Sequence, residues 1–256
     1  MSKQAFLLLM LLTTISPALA ASVEGMALLP SGVYTPLYLE KENTKNFERR
    51  PVYVEAFRLD QEPITNRQYL DFVIAHPEWK KTQVKRVFAD SHYLQHWSED
   101  SAVEDRNELG NPVVNVSWFA ASAYCEAREE RLPTTDEWEY ALADNGRDNE
   151  KIQQQLLDWY ATPNGRLPSV GSQPANGFGI YDLAGLVWEW TSDFNSFMVS
   201  SDSRDSGQKN FFCGGGSLNA SNPRDYAAFM RYSYRGSLQG AFTGKNLGFR
   251  CAKDAK

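Results

Sequence analysis

The sequence has 256 residues, of which 42% are hydrophobic and 13% aromatic, so it can bury one sizeable core. Its formal net charge of −6 at pH 7 argues against nucleic acid or anionic lipid as a partner. We expect a monomeric globular protein whose ligand is a peptide, a protein or a small molecule.

An export signal is predicted at the N-terminus. An apolar run at residues 5–15 is followed by Ala18 and Ala20, the small-residue pattern that signal peptidase reads. The run is shorter than the roughly 20 apolar residues that a membrane-spanning helix needs. We therefore interpret residues 1–20 as a signal peptide and residues 21–256 as one periplasmic or secreted domain, without membrane insertion. An uncleaved anchor is the alternative.

Three helices are predicted from their capping residues. Alternation of apolar and polar residues at 52–56 first predicts a strand. Helix N-terminal caps then follow at Thr65, at Asn115 or Ser117, and at Thr134. The first and last of these caps have a glutamine or glutamate three residues on, which completes a capping box.

The remaining segments are irregular. Residues 78–111 are polar, with large aromatic residues at Trp79, Phe88, Tyr93 and Trp97. From residue 145 onward Gly, Asn, Ser and Pro become dense and short apolar pieces lie between them. We expect an α+β fold with little regular secondary structure, in which disulfides or bound ions add stability.

Five segments resemble, in order and spacing, the signature of the sulfatase-modifying-factor domain, whose founding member is the formylglycine-generating enzyme. They are LDQEPITN at 59–66, NPVVNVSW at 111–118, RLPTTDEWEYA at 131–141, NGFGIYDLAGLVWEW at 176–190 and NLGFRCA at 246–252. The resemblance covers residues 25–253. It implies a variant of the C-type lectin fold.

The resemblance does not fix the chemistry, because the same domain occurs in formylglycine-generating oxidases, in a periplasmic pyoverdine-maturation protein, in iron-dependent sulfoxide synthases and in binding proteins. In the oxidases, two cysteines after a Gly-Gly-Ser step bind copper(I), an ion that soft thiolates favour. Here that step is at 215–217, the first cysteine position is Ala220, and the second falls at Asp225 or near Ala227.

Copper is therefore not expected, and neither is formylglycine generation. We expect an exported accessory or ligand-binding protein of this family. The alternative is a periplasmic oxidase-type enzyme of the pyoverdine-maturation kind or one that depends on a non-haem metal.

The resemblance also implies a disulfide between Cys125 and Cys251. The third cysteine, Cys213, then stays alone, either as a buried free thiol or as a reactive one.

A structural calcium ion is implied in the same way. By position its ligands are the carboxylates of Asp182 and Glu189 and the backbone carbonyls of Gly185 and Val187. Calcium takes six to eight oxygen ligands, so this set suits it. The alternative is that the two carboxylates cap the turn and accept hydrogen bonds from the backbone.

Basic and aromatic residues cluster beside the former copper region. They form a candidate ligand-binding cleft that consists of Arg224, Tyr226, Arg231, Tyr234 and Arg235. Arginine offers a rigid fork for carboxylates or peptide carbonyls, and tyrosine an amphipathic wall. The alternative is that the arginines form ion pairs with acidic residues.

Two histidines, His92 and His96, have the i, i+4 spacing of a helical metal site. No firm third ligand accompanies them in the sequence. We expect solvated or hydrogen-bonded structural histidines here.

Overall fold

The computed structural model describes residues 25–35, 51–100, 102–103, 105–144, 154, 158–159, 165–194, 231 and 234–255. The predicted signal peptide and Cys213 lie outside these ranges. Among the helices that are described, none has the length and apolarity to cross a lipid bilayer.

The three predicted helices are present, and all three are short. They are α1 (Asn66–Ala75), α2 (Trp118–Ala127) and α3 (Thr135–Ala143). Thr65 and Thr134 each form a complete capping box, as their sequence context predicts. Ser117 is the cap of α2, because its side chain accepts from the Ala120 amide. Asn115 instead has a positive φ of 54° two residues earlier.

The strands in the described ranges are also short. They are β1 (Met26–Leu29), β2 (Gly32–Tyr34), β3 (Val52–Val54), β4 (Phe57–Asp60), β5 (Trp97–Glu99), β6 (Ala102–Val103), β7 (Trp188–Glu189), β8 (Leu247–Gly248) and β9 (Ala252–Asp254). The predicted strand at 52–56 is thus β3, two residues shorter than expected. Short strands and helices joined by long irregular segments confirm the predicted α+β class with little regular secondary structure.

Strand β4 lies at the centre of the main sheet. It pairs antiparallel with β1 on one side and with β9 on the other, so Leu59 lies opposite both Ala27 and Ala252. β7 and β8 form a separate parallel pair, extended by a hydrogen bond from the Trp190 amide to the Gly248 carbonyl. The sheet and this pair bring the segment after β4, the β7 turn and the segment before β9 together.

Two apolar clusters form most of the core. One packs aromatic rings of α1 and α2, including Tyr69 and Tyr124, against Phe249. The Cys125–Cys251 disulfide lies within this cluster with both cysteines fully buried, as the resemblance implies. The second cluster lies between the main sheet and α3. The disulfide therefore joins α2 to the residue that precedes β9.

Removing the disulfide is expected to destabilise the fold. The two cysteines are separated by 126 residues, and closing a loop of this size contributes about 2–5 kcal/mol in the chain-entropy description. We expect the double variant Cys125→Ser/Cys251→Ser to lose stability in this range in thermal and denaturant unfolding. Cys213→Ser is the matched control and should cost less. Non-reducing peptide mapping that links Cys213 to either partner would refute this pairing.

Candidate functional site

A fully buried ion pair joins β7 to the segment before β9. Glu189 accepts from Arg250 at both carboxylate oxygens, at 2.8 Å each, and both side chains are 0% exposed. The guanidinium also donates to the carbonyls of Asp60, Gln61 and Tyr181 at 3.0–3.2 Å. These contacts supply an acceptor for each of its five N–H donors. The buried guanidinium of Arg250 therefore has all of its hydrogen bonds satisfied by the protein.

A second buried ion pair lies on α3. Glu139 accepts two hydrogen bonds from Arg231, at 2.9 and 2.8 Å, and a third from Arg235 at 3.2 Å. Burial raises the pKa of Glu139, but the charges and hydrogen bonds of the two arginines outweigh this effect and the pKa is lowered. Glu139 is therefore ionised at neutral pH.

Trp138 links the two ion pairs. Its indole nitrogen donates to Glu189 Oε2 at 2.8 Å, and the Arg235 guanidinium lies 4.5 Å from the centre of its ring in a cation–π contact. We call the whole set the buried ion-pair network; it consists of Trp138, Glu139, Glu189, Arg231, Arg235 and Arg250. It fixes α3, β7 and the segments at 231–235 and 250 relative to one another.

Three half-buried aromatic residues form a row next to this network. The ring centres of Trp159 and Trp188 are 5.1 Å apart, and those of Trp188 and Tyr234 are 4.5 Å apart. We call these three residues the aromatic row. Burial raises the pKa of Tyr234 to about 12, so its hydroxyl keeps its proton at neutral pH.

The network positions the aromatic row through the chain. Trp188 directly precedes Glu189, and Tyr234 directly precedes Arg235. Because successive side chains of a strand point to opposite faces, Glu189 enters the core while Trp188 stays partly accessible. The row is thus a partly exposed aromatic surface on a rigid base, an arrangement that suits binding of an apolar or ring-bearing group.

The predicted cleft needs a correction. Arg231 and Arg235 are 1% and 3% exposed, and they pair with Glu139, so the ion-pair alternative applies to both of them. Tyr234 is half-buried in the aromatic row. The other two candidates, Arg224 and Tyr226, lie outside the described residues. The structure therefore brings together the three candidates that it describes. Two of them, the arginines, are buried beneath the site and hold its backbone in place, so they do not line a cleft.

The two carboxylates of the predicted calcium site are both bound to protein donors. The oxygens of Glu189 are taken by Arg250 and Trp138, and a cation there would lie beside the guanidinium charge. Asp182 accepts from the amides of Gly171 and Gln173, at 2.5 and 2.9 Å. Asp182 also accepts from the Ser172 hydroxyl at 3.2 Å.

The two carbonyl candidates differ in their surroundings. Gly185 has a positive φ of 103°, which is natural for glycine, and lies half-buried in the turn. Val187 packs in a small apolar cluster with Leu186 and Val114. The contacts in this turn thus favour the alternative in which the two carboxylates bind protein donors. The calcium ion thus rests on the resemblance alone, and the contacts of the two carboxylates argue against it.

The stability of the protein should not depend on calcium. We expect the melting temperature of the wild type to be the same with calcium and with a chelator. Glu189→Gln should cost about 3–5 kcal/mol in either condition, because it leaves the Arg250 charge buried without its partner. Thermal unfolding with and without the ion measures both. A melting temperature that rises with calcium, and a response that Glu189→Gln abolishes, would instead show that the ion displaces Arg250.

The two histidines do not form a metal site. His96 Nε2 donates to the Asn66 side-chain oxygen at 3.1 Å, whereas His92 is exposed and lies 3.6 Å from Asp90. His96 is thus a hydrogen-bonded structural histidine, as expected. Burial, with a smaller contribution from the Lys81 charge, lowers its pKa to about 4.

One cluster among the described residues has potential metal ligands close together. It contains Asp60, Glu130 and Cys251. The Cys251 sulfur is already in the disulfide, and Arg128 pairs with both carboxylates at 3.1–3.3 Å. Burial raises the pKa of Asp60 and of Glu130. The cluster is therefore explained by the pairing with Arg128.

The half-buried His96 predicts acid sensitivity. Its folded-state pKa of about 4 is below the ordinary value of 6.5, so its neutral form is favoured by folding and stability is lost as the pH falls from 6.5 towards 4. The loss should reach about 3 kcal/mol across this window. His96→Gln should flatten this part of the stability profile, while His92→Gln, at an exposed position, should not. Equal slopes for all three proteins would contradict the assignment.

Residues 12–255 match the family described as the sulfatase-modifying factor enzyme 1-like domain. The chain belongs to this family. It is 26% identical to the formylglycine-generating enzyme of Mus musculus over 304 aligned positions, which cover 93% of the chain and 79% of the relative. It is also 29% identical to the inactive C-alpha-formylglycine-generating enzyme 2 of Mus musculus, over 56% of the chain and 60% of the relative.

Other matches extend the comparison. The chain is 30% identical to the serine/threonine-protein kinase pkn1 of Chlamydia caviae over 57% of its own length, and it spans 24% of that protein. Among solved structures, PvdO from Pseudomonas aeruginosa matches with a TM-score of 0.54 and 19% identity, over 90% of this chain and 94% of that one. These likenesses confirm the predicted fold, which is that of the formylglycine-generating enzyme.

Sequence reasoning missed three members of the network: Trp138, Glu139 and Arg250. All three occur in the motifs that carry the family resemblance, within residues 131–141 and 246–252. Arg250, the one charged residue in the motif at 246–252, is a signal for buried pairing, since lone charges are rarely buried. Which glutamate pairs with which arginine is visible only in the fold.

Proposed function

We propose that this protein is an exported accessory or ligand-binding member of the sulfatase-modifying-factor family that does not generate formylglycine. The observation that carries the proposal is the aromatic row of Trp159, Trp188 and Tyr234, half-buried on the buried ion-pair network. The ligand we propose is a peptide or a small molecule with an apolar or ring-bearing group.

The sequence supports the absence of the copper reaction. A copper(I) ion needs soft thiolate ligands, and Ala220 stands at the first of the two cysteine positions. Neither Asp225 nor Ala227, the candidates for the second position, is a cysteine. The inactive C-alpha-formylglycine-generating enzyme 2 of Mus musculus, to which the chain is similar, supports the idea that this fold is retained without that activity.

The network supports binding by keeping the aromatic row in place. Glu139 and Glu189 are each bound by arginine at two oxygens, so the backbone of their neighbours has little freedom. A preorganised aromatic surface loses little conformational entropy when a ligand binds. Its rings also offer apolar area with few rotatable bonds, which suits peptide side chains.

The catalytic half of the proposal is tested with a sulfatase peptide. We expect no conversion of a Cys-x-Pro-x-Arg peptide to the aldehyde by the purified protein, with or without copper, because the two thiolate ligands are absent. Mass spectrometry detects the product. Copper-dependent aldehyde at enzyme-like turnover would defeat the proposal. Oxygen consumption without aldehyde would favour the alternative, a periplasmic oxidase-type enzyme of the same family.

The binding half is tested with an array of short peptides. We expect members with aromatic or aliphatic side chains to bind the wild type, and Trp188→Ala to weaken binding by about 2 kcal/mol or more, as for buried aromatic anchors. Tyr53→Ala is the matched control, because Tyr53 is 58% exposed on β3 and lies outside the row. Equal weakening by both variants, or peptide binding that Trp188→Ala leaves unchanged, would count against the aromatic row.

A further inference from the structure

A cluster of positive charge occurs in one short segment of this acidic chain. Residues 77–88, with the sequence PEWKKTQVKRVF, contain four cationic residues within seven positions. These are Lys80, Lys81, Lys85 and Arg86. The segment also ends in two large apolar residues. Neither the family assignment nor the proposed function uses this segment.

The segment is fixed to the body of the protein. It begins with a short 3-10 helix at Pro77–Trp79 and continues in turns, in which the Lys80 carbonyl accepts from the Val84 amide at 3.0 Å. The Lys81 ammonium donates to the Trp97 carbonyl at 2.6 Å. The buried Ala89 then leads back into the core.

We call residues 85–88 of this segment the basic turn; its first three residues face outward. Val87 is 68% exposed, whereas Phe88 is 39% exposed and packs its ring against Trp79 and Phe119, with ring centres 6.1 and 5.5 Å apart. Lys85 and Arg86 are exposed as well, and neither forms a hydrogen bond or an ion pair through its side chain with another described residue. The Lys85 carbonyl accepts from the Phe88 amide at 2.8 Å, which fixes the turn.

Three carboxylates near the basic turn in sequence have other partners. Glu78, within the segment, lies 3.6 Å from His76 Nδ1. Asp100 accepts from the amide and the hydroxyl of Thr82, at 2.8 and 2.6 Å. Asp90 accepts from the Thr243 side chain and from the His92 amide. Each of these carboxylates thus has another partner, so the two outward cations of the basic turn are left to bind an external anion.

We propose that the basic turn binds the surface of an anionic phospholipid bilayer. Lysine and arginine next to such a surface are attracted by its negative potential, and exposed apolar side chains enter the boundary between headgroups and acyl chains. A bilayer also requires no matching partner surface, whereas a stable protein–protein interface takes roughly 20–30 residues per side.

The net charge of −6 does not prevent this binding. At physiological salt, exposed charges farther apart than about 8 Å are largely screened, so the charges beside the bilayer decide the interaction. The expectation from net charge therefore applies to the protein as a whole, and the basic turn is a local exception. The binding is peripheral and needs no membrane-spanning segment.

The experiment is co-sedimentation of the full protein with phosphatidylglycerol-containing vesicles at low salt. We expect binding that falls at high salt and is absent with pure phosphatidylcholine vesicles. Lys85→Gln and Arg86→Gln should each weaken it about fivefold. Val87→Ser should weaken it about tenfold, because it removes an apolar side chain from the boundary.

Matched controls separate the basic turn from general surface effects. Arg67→Gln removes an exposed cation on α1, and Val33→Ser removes a side chain that is 56% exposed on β2. Both should bind vesicles like the wild type, and melting temperatures should show that all variants fold. A wild type that stays in solution, or controls that lose binding as much as the basic-turn variants, would overturn the proposal. If the wild type does not bind vesicles, an acidic protein becomes the favoured partner of the basic turn.

Discussion

The fold depends on one buried charge pair, Arg250 with Glu189. Taking two charges out of water costs several kcal/mol per ion, and only complete pairing and hydrogen bonding offset this cost. Arg250 meets the requirement by binding Glu189 and three backbone carbonyls that come from two distant segments. The Arg250 guanidinium therefore needs three segments in place at once: the end of β4, the turn before β7 and β7 itself. If one of them is absent, some of its N–H groups are buried without an acceptor.

The Arg250–Glu189 pair is connected to the candidate site through α3. Trp138 donates to Glu189, and its neighbour Glu139 binds the arginines at 231 and 235. Trp188 and Tyr234 are each one residue away from a member of the network. The ion pairs thus position both rings, which are half-buried. This arrangement supports the proposed role of the site in ligand recognition.

Local signals in the sequence predicted local structure well. The capping boxes at Thr65 and Thr134 and the family motifs identified the helices and the fold, because capping depends on residues three positions apart. The side-chain orientations of Arg231 and Arg235 could not be predicted from the sequence, because an arginine can face either a ligand or a buried carboxylate. That choice is made by Glu139, which is 92 residues away from Arg231 in the chain.

The wide spacing of the contacts around Arg250 has a consequence for the order of folding. Its guanidinium meets the Asp60 carbonyl across 190 residues, and the adjacent Cys251 meets Cys125 across 126. Contacts of such long range form slowly, because most of the chain must be ordered before they are gained. In sequence Cys213 is nearer to Cys251 than Cys125 is, so proximity along the chain does not select the native disulfide. The folded structure does, because the contacts that hold Arg250 also place the adjacent Cys251 beside Cys125.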